Sequence, residues 1–322
     1  MSLETEVVLD RRRLKRSTAL WRALAIIAIA VALGAVLLAG RTSLGIAQPK
    51  QIARVTIEGM ITEDRAQLRM LKRIAEAKQV AGVILAVNSP GGTTTGGEAL
   101  FEALRDLAAK KPVVAQFGTV AASAAYIAGL GTDHIVARGN SITGSVGVIV
   151  QWPEFTELMN KLGVKMHEIK SGPLKATPSP FQPLDEGGRK VTEQMIAEGQ
   201  QWFLNLVRSR RGVATDKIPG LEQGSIYSGR EALKHKLVDQ LGGEAEAVQW
   251  LENVKNVGKN LRIVDWKPRR DTGWPLSSVV SQIAEAGPVA FLRQLVGATL
   301  DGAGLGALRL DGFVSVWQPA KN

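Results

Sequence analysis

The chain has 322 residues, 45% hydrophobic and 22% charged, with a net charge of +10. That apolar content excludes a disordered chain, and 34 glycines without a period exclude a collagen-like repeat. Cysteine is absent and histidine occurs only at His134, His167 and His235, which removes disulfides, thiolate sites and a histidine-rich metal centre.

Residues 1–22 form a basic segment, with Arg11-Arg12-Arg13-Leu14-Lys15-Arg16 ahead of Arg22. Residues 23–40, ALAIIAIAVALGAVLLAG, then run without a charge. As a helix they reach about 27 Å, enough for a bilayer core. Few basic residues follow, so the positive-inside bias predicts a cytoplasmic N-terminus and an outward-facing remainder (periplasmic or extracellular). Trp21 stands where an interfacial aromatic would. A cleaved signal peptide would have a shorter apolar region, and Gly45-Ile46-Ala47 is a poor cleavage site. The reading is a retained single-pass anchor in the inner (plasma) membrane. Its basic flank is explained by anionic lipid and calls for no nucleic acid.

Residues 41–52 read as a linker. From residue 53 strand and helix patterns alternate. Strands are predicted over 53–61, 80–87, 113–118, 134–138, 146–151 and 165–170. Helices are predicted over 65–77, 97–111, 121–131, 155–163, 185–211 and, as a pair, around 229–254. The run 80–87, VAGVILAV, has the unbroken apolar character of a strand covered on both faces. The alternation predicts an α/β domain over residues 53–255. Residues 256–322 read as a C-terminal extension, with an amphipathic helix over 275–297 and a late strand over 308–317.

Three short motifs can carry chemistry. Asn88-Ser89-Pro90-Gly91-Gly92 ends the strongest strand, and its glycines can present backbone N–H groups to a developing oxyanion. It can equally be an ordinary turn. Ser123 stands among Ala121, Ala122, Ala124 and Ala125 at the start of a predicted helix. It reads either as a nucleophile beside the Ala124 N–H or as an N-cap. Ser171-Gly172-Pro173-Leu174-Lys175 lies in a Pro-rich loop. A buried lysine that has lost its proton can serve as base for a serine, and the residues alone do not choose between Lys170 and Lys175. No histidine falls in a glycine-rich turn, and no HExxH, P-loop or GxGxxG pattern is present. No metal or cofactor is called for.

In this order, NSPGG, GxxAASAAY and SGxxK resemble the signal peptide peptidase A family of bacterial membrane-bound serine proteases, in its short single-repeat form. Thr143-Gly144-Ser145-Val146-Gly147-Val148 and Ser228-Gly229-Arg230-Glu231-Ala232-Leu233, followed by Leu237-Val238-Asp239, extend the likeness. It covers roughly residues 53–255. Lys236 departs from it, since the family has glycine there.

The resemblance implies a crotonase/Clp-protease-like fold and a Ser-Lys dyad, with Ser123 as nucleophile and Lys175 as general base. Gly91 or Gly92, with Ala124, would form the oxyanion hole. It further implies signal peptide remnants and similar apolar, unfolded peptides as substrates, and a homo-oligomer. Small side chains at Ala121 and Ala122, with Tyr126, are expected to line the substrate groove. The rival readings are a crotonase-type acyl-CoA enzyme, which would use carboxylates, and a non-catalytic membrane scaffold of the same fold.

Overall fold

The computed structural model describes residues 49–269, together with Thr18, Trp21, Arg22, Ala23, Ala25, Ile26 and Ile29. The chain divides into a unit ending at Arg269 and a second, Arg270–Asn322, which lies outside the described residues. The helix expected over 275–297 and the strand expected over 308–317 fall there. Of the anchor expected over 23–40, only Ala23, Ala25, Ile26 and Ile29 are described, so that expectation too lies outside the described residues. Among the described residues no helix is long and apolar enough to cross a membrane.

The framework is a mixed eight-stranded sheet with helices on both faces. Its elements in chain order are β1 (Gln51–Ile61), α1 (Arg65–Glu76), β2 (Val80–Gly92), α2 (Thr94–Ala108), β3 (Val113–Ala122) and α3 (Ala124–Leu130). Then come β4 (His134–Ala137), β5 (Ile142–Gly144), α4 (Thr156–Lys161), α5 (Glu186–Arg211), β6 (Ile226–Ser228) and α6 (Gly229–Lys234). The last are β7 (Gln240–Leu241), α7 (Glu244–Asn253) and β8 (Arg262–Trp266). The order is β6-β5-β3-β2-β1-β8, with β4 joining β3 to β7. Among the described residues only the β5–β6 pair is antiparallel.

Strand alternation builds two cores. Val83, Leu85 and Val87 of β2 face the same side as Val113, Ala115 and Phe117 of β3, and pack against Met70, Leu71 and Ile74 of α1 and Leu100, Leu104 and Leu107 of α2. Ile52, Ile84, Val114 and Val136 point to the other side, under Ala247 and Leu251 of α7. Burial on both faces explains the unbroken apolar run of β2.

The helix starts follow their caps. Asp64 accepts from the Ala66 and Gln67 N–H groups, and Thr93 from the Gly96 N–H. Asp185 accepts from the Gly188 N–H, and α5 stops at Gly212 in a left-handed conformation.

The sheet runs past the expected limits of 53–255 at both ends. β1 begins at Gln51, and β8 pairs with β1 in parallel from Gln51↔Arg262 to Val55↔Trp266. The strands expected over 146–151 and 165–170 do not form; between residues 145 and 185 the regular element is the short α4. Ile149, Met166 and Ile169 are exposed there. Apolar residues in these segments suggest strands, but among the described residues no strand pairs with either segment.

Candidate active site

Ser123 by itself makes the turn from β3 into α3. Its backbone sits at φ 55° and ψ −122°, a strained conformation for a residue with a side chain. Its N–H donates to the Gly144 carbonyl at 3.0 Å, and its own carbonyl accepts from the Ile127 N–H at 3.0 Å. The hydroxyl makes no capping bond to α3. It has no hydrogen-bond partner among the described residues, and the residue is only partly buried. An N-cap serine would bond an amide of the first helical turn. Ser123 therefore stands in the cap position without capping, on a strained strand-to-helix turn of the kind that projects a nucleophile.

The NSPGG segment, which could have been an ordinary turn, is instead the end of strand β2 and lies directly against it. Gly91 has φ 113°, and a Cβ there would meet Ser123 Cβ at 2.9 Å and the Ala124 nitrogen at 3.1 Å. Glycine is what allows this approach. A Cβ on Gly92 would fall 1.9 Å from the Ile61 carbonyl oxygen, so the second glycine lets β2 close on β1. The Gly91 N–H donates to Ser89 Oγ at 3.1 Å. The Thr93 N–H donates to the Ile61 carbonyl at 2.8 Å. The Gly91 carbonyl lies 3.4 Å from Ser89 Oγ, so the Gly92 N–H of the same planar trans peptide points the opposite way. The structure thus brings Gly91, Ser123 and Ala124 together, with Gly92 adjoining.

It does not bring Lys175 to Ser123 by any hydrogen bond. Lys175 is exposed in a turn where its N–H donates to the Gly172 carbonyl at 3.1 Å. Its ammonium group has no polar partner among the described residues. Lys170 differs, since it forms an ion pair with Glu168 at 2.6 Å and donates to Gln182 at 3.2 Å. The apolar burial expected of a lysine base is not provided by this single chain.

The histidines are placed elsewhere. His134 stacks on Trp250 and lies 3.2 Å from Gln240 Oε1, while His235 stands edge-on to Tyr227. His167 is exposed. Tyr126, expected in the substrate groove, is instead fully buried and donates to the Leu237 carbonyl at 2.8 Å. Burial raises its phenol pKa well above the usual value. Ala121 and Ala122 are buried as well, so all three are core residues that hold α3 against the sheet.

A cavity of about 420 Å3 opens on the α7 side of the sheet, lined by residues including Thr56, Glu58, Gln116 and Arg138. Asn88, Gly118 and Thr119 also line it, whereas Ser123, Gly91, Gly92 and Ala124 do not. Among the described residues no cluster of acidic or histidine side chains could hold a metal ion.

The profile of Peptidase family S49 matches residues 105–258, and that of Clp protease matches residues 46–139. A provisionally named protease of Synechocystis sp. is 35% identical over 62% of this chain and 73% of its own length. A provisionally named protease of Methanocaldococcus jannaschii is 36% identical over 65% of this chain and 67% of its own. A provisionally named signal peptide peptidase SppA of Enterococcus faecium is 33% identical over 74% of this chain and 73% of its own.

The chain belongs to peptidase family S49. It is accordingly a serine protease, on an α/β fold of the Clp-protease and crotonase type with a mixed sheet. The acyl-CoA and scaffold readings fall away. Within this S49 chain, sequence reasoning singled out the NSPGG segment for its glycines but passed over Ser89, whose hydroxyl is buried beneath them.

Proposed function

We propose that this S49 protease hydrolyses cleaved signal peptides and similar apolar, unfolded peptides at the outer side of the membrane, with Ser123 as nucleophile and Lys175 as general base. The observation that carries this reading is Ser123 itself. Its hydroxyl has no hydrogen-bond partner among the described residues and sits on a strained turn, beside a glycine whose missing Cβ opens the approach to the Ala124 N–H.

The neutral amine of Lys175 takes the proton from Ser123 Oγ as the oxygen attacks the peptide carbonyl. The N–H groups of Gly92 and Ala124 hold the oxyanion, since the Gly91 N–H is engaged by Ser89. The C–N bond then breaks, and the lysine ammonium gives its proton to the leaving amine. Water attacks the acyl-enzyme by the same route and regenerates Ser123. No cofactor enters.

Lys175 is favoured over Lys170 because it carries no competing carboxylate. A lysine acts as a base only when neutral, and desolvation favours that form. A homo-oligomer that covers the exposed 145–185 segment would desolvate Lys175. The residue 23–40 anchor would keep the enzyme beside membrane lipid, where apolar remnants are released, with its catalytic domain outside the cytoplasm. Nucleic acid has no role in this scheme.

The test is hydrolysis of an apolar fluorogenic peptide by purified full-length protein. Ser123→Ala and Lys175→Ala are each expected to lower kcat by at least about 10³-fold. Lys170→Ala and His167→Ala are expected to stay near wild type. Turnover retained in Lys175→Ala and lost in Lys170→Ala would reassign the base. Activity should rise with pH to an alkaline plateau, and an acidic optimum would contradict a lysine base.

A further inference from the structure

The glycine end of β2 rests on a single buried hydroxyl. Ser89 is 0% exposed, and its Oγ meets three backbone groups. It donates to the Gly59 carbonyl at 2.6 Å, accepts from the Gly91 N–H at 3.1 Å, and lies 3.4 Å from the Gly91 carbonyl. Both strands beside it are irregular where it sits. The β1–β2 register shifts between Glu58 and Met60, where Gly59 takes φ 70°. The β2–β3 register shifts between Val87 and Ser89. Such shifts leave ladder groups without strand partners. Ser89 satisfies one on β1, the Gly59 carbonyl, as donor, and one on β2 itself, the Gly91 N–H, as acceptor.

The bond to Gly91 bears directly on the chemistry. Gly91 sits at φ 113° with its Cα against Ser123 and the Ala124 nitrogen. In that conformation the next amide, Gly92, points away from Ser89 Oγ. If Ser89 Oγ were lost, the peptide planes on both sides of Gly91 would be freed: the one that carries the Gly91 N–H, and the next one, whose carbonyl lies 3.4 Å from that oxygen and which carries the Gly92 N–H. The Gly92 N–H would then leave the position that an oxyanion requires. Neighbouring Asn88 braces the same segment from the other side, accepting from the Val120 N–H at 3.3 Å, three residues before the nucleophile.

We infer that Ser89 is a positioning residue for catalysis: its hydroxyl locks the Gly91 peptide so that the Gly92 N–H is aimed at the transition-state oxygen. This deepens the proposed function and rests on its assignment of Ser123 and the 91–92 segment. The role needs a group that donates and accepts at once within a site the size of a hydroxyl. Alanine can do neither. Threonine keeps both bonds and adds one methyl.

The experiment compares wild type, Ser89→Ala, Ser89→Thr and Ser123→Ala as full-length protein in detergent. Three readouts are taken: kcat and KM on an apolar fluorogenic peptide, affinity for a peptide aldehyde of matching sequence, and affinity for the corresponding product peptide. The aldehyde forms a tetrahedral adduct with the serine and needs the oxyanion donors; the product peptide does not. Ser89→Ala is expected to lower kcat about 10- to 100-fold, below the loss seen when an oxyanion donor is deleted outright. KM should change less than about threefold, the pH profile should keep its midpoint, and aldehyde affinity should fall in step with kcat/KM. Product-peptide affinity should hold, and Ser89→Thr should recover part of kcat.

The inference is overturned if Ser89→Ala keeps wild-type kcat and aldehyde affinity, or if product-peptide and aldehyde binding fall equally. Should Ser89→Ala not fold, Ser89→Thr and Ser89→Cys carry the test: their kcat must follow aldehyde affinity, and a kcat loss with aldehyde affinity unchanged overturns it. Activity in Ser123→Ala would instead defeat the underlying assignment of the nucleophile, a result distinct from any of these.

Discussion

At Lys236 a residue with a side chain occupies a backbone conformation suited to glycine. Its φ is 58°, at the end of α6, where its N–H donates to the Leu233 carbonyl and its carbonyl accepts from Arg211 Nε at 2.7 Å. The family resemblance calls for glycine there, and the left-handed geometry is the physical reason. Left-handed backbone costs a residue with a Cβ about 1–2 kcal/mol, and glycine gives back about 0.5–1 kcal/mol through its freer unfolded state. Lys236→Gly is therefore expected to stabilise the protein by about 0.5–1 kcal/mol, read as a rise in the urea midpoint at unchanged slope. A fall in the midpoint would show that the lysine side chain contributes a compensating contact. The residue types at Ser123, Gly91 and Gly92 were legible as candidates because small residues cluster after strands. The strain at Ser123 was not, since no residue type encodes a positive φ there. Ser89 was equally hidden: a serine in the NSPGG motif gives no sign of which carbonyl and which amide it will join.

Among the elements, β8 shows how an edge strand is retained. Arg54 in β1 bridges it to the rest of the unit, with Nη2 bonding Asp265 at 3.0 Å in β8 and Nη1 bonding Glu244 at 2.8 Å in α7. The Arg54 hydrogen bond holds the Asp265 carboxyl below its ordinary value of 3.8. A carboxyl depressed in the folded state stabilises it above the unfolded value, and that contribution is lost as pH falls through the folded value. Both groups are solvent-accessible, so the effect is modest. Asp265→Asn should thus lower Tm at neutral pH, and its gap from wild type should close only below pH 3.8. A gap independent of pH would assign the difference to packing instead. The sequence placed β1 and the long α5 close to their observed limits and the starts of β2 and β3 at Val80 and Val113, because long apolar runs and capped periodic stretches carry strong signals, but both strands continue past the expected 87 and 118, to Gly92 and Ala122. β5, β6 and β7 are two or three residues each, too short to carry a period. β8 was read as part of an extension because RIVDW is short and half-polar, and its place is set by pairing with β1.

For the whole molecule, the decisive contrast is between the two ends of the proposed dyad. Ser123 lies on a core that is closed on its own, whereas Lys175 lies on a segment that leaves large apolar side chains in solvent. Ile149 is 72% exposed and Leu162 70% exposed, and Ile169 is fully exposed. Covering such side chains is worth about 1.5–3 kcal/mol each, so several together can drive the association proposed above. If assembly desolvates the base, breaking it should cost chemistry as well as mass. Leu162→Glu with Ile169→Glu adds two charges to exposed sites, where the fold of the unit ending at Arg269 should tolerate them. Light scattering in detergent is expected to show a smaller particle, with circular dichroism unchanged. Peptide turnover should fall at neutral pH and recover on alkaline titration, because a lysine returned to water must be deprotonated by pH rather than by burial. A particle of wild-type mass with wild-type turnover would remove the 145–185 segment from the assembly. A smaller particle with an unchanged pH profile would keep the assembly and separate it from the state of the base.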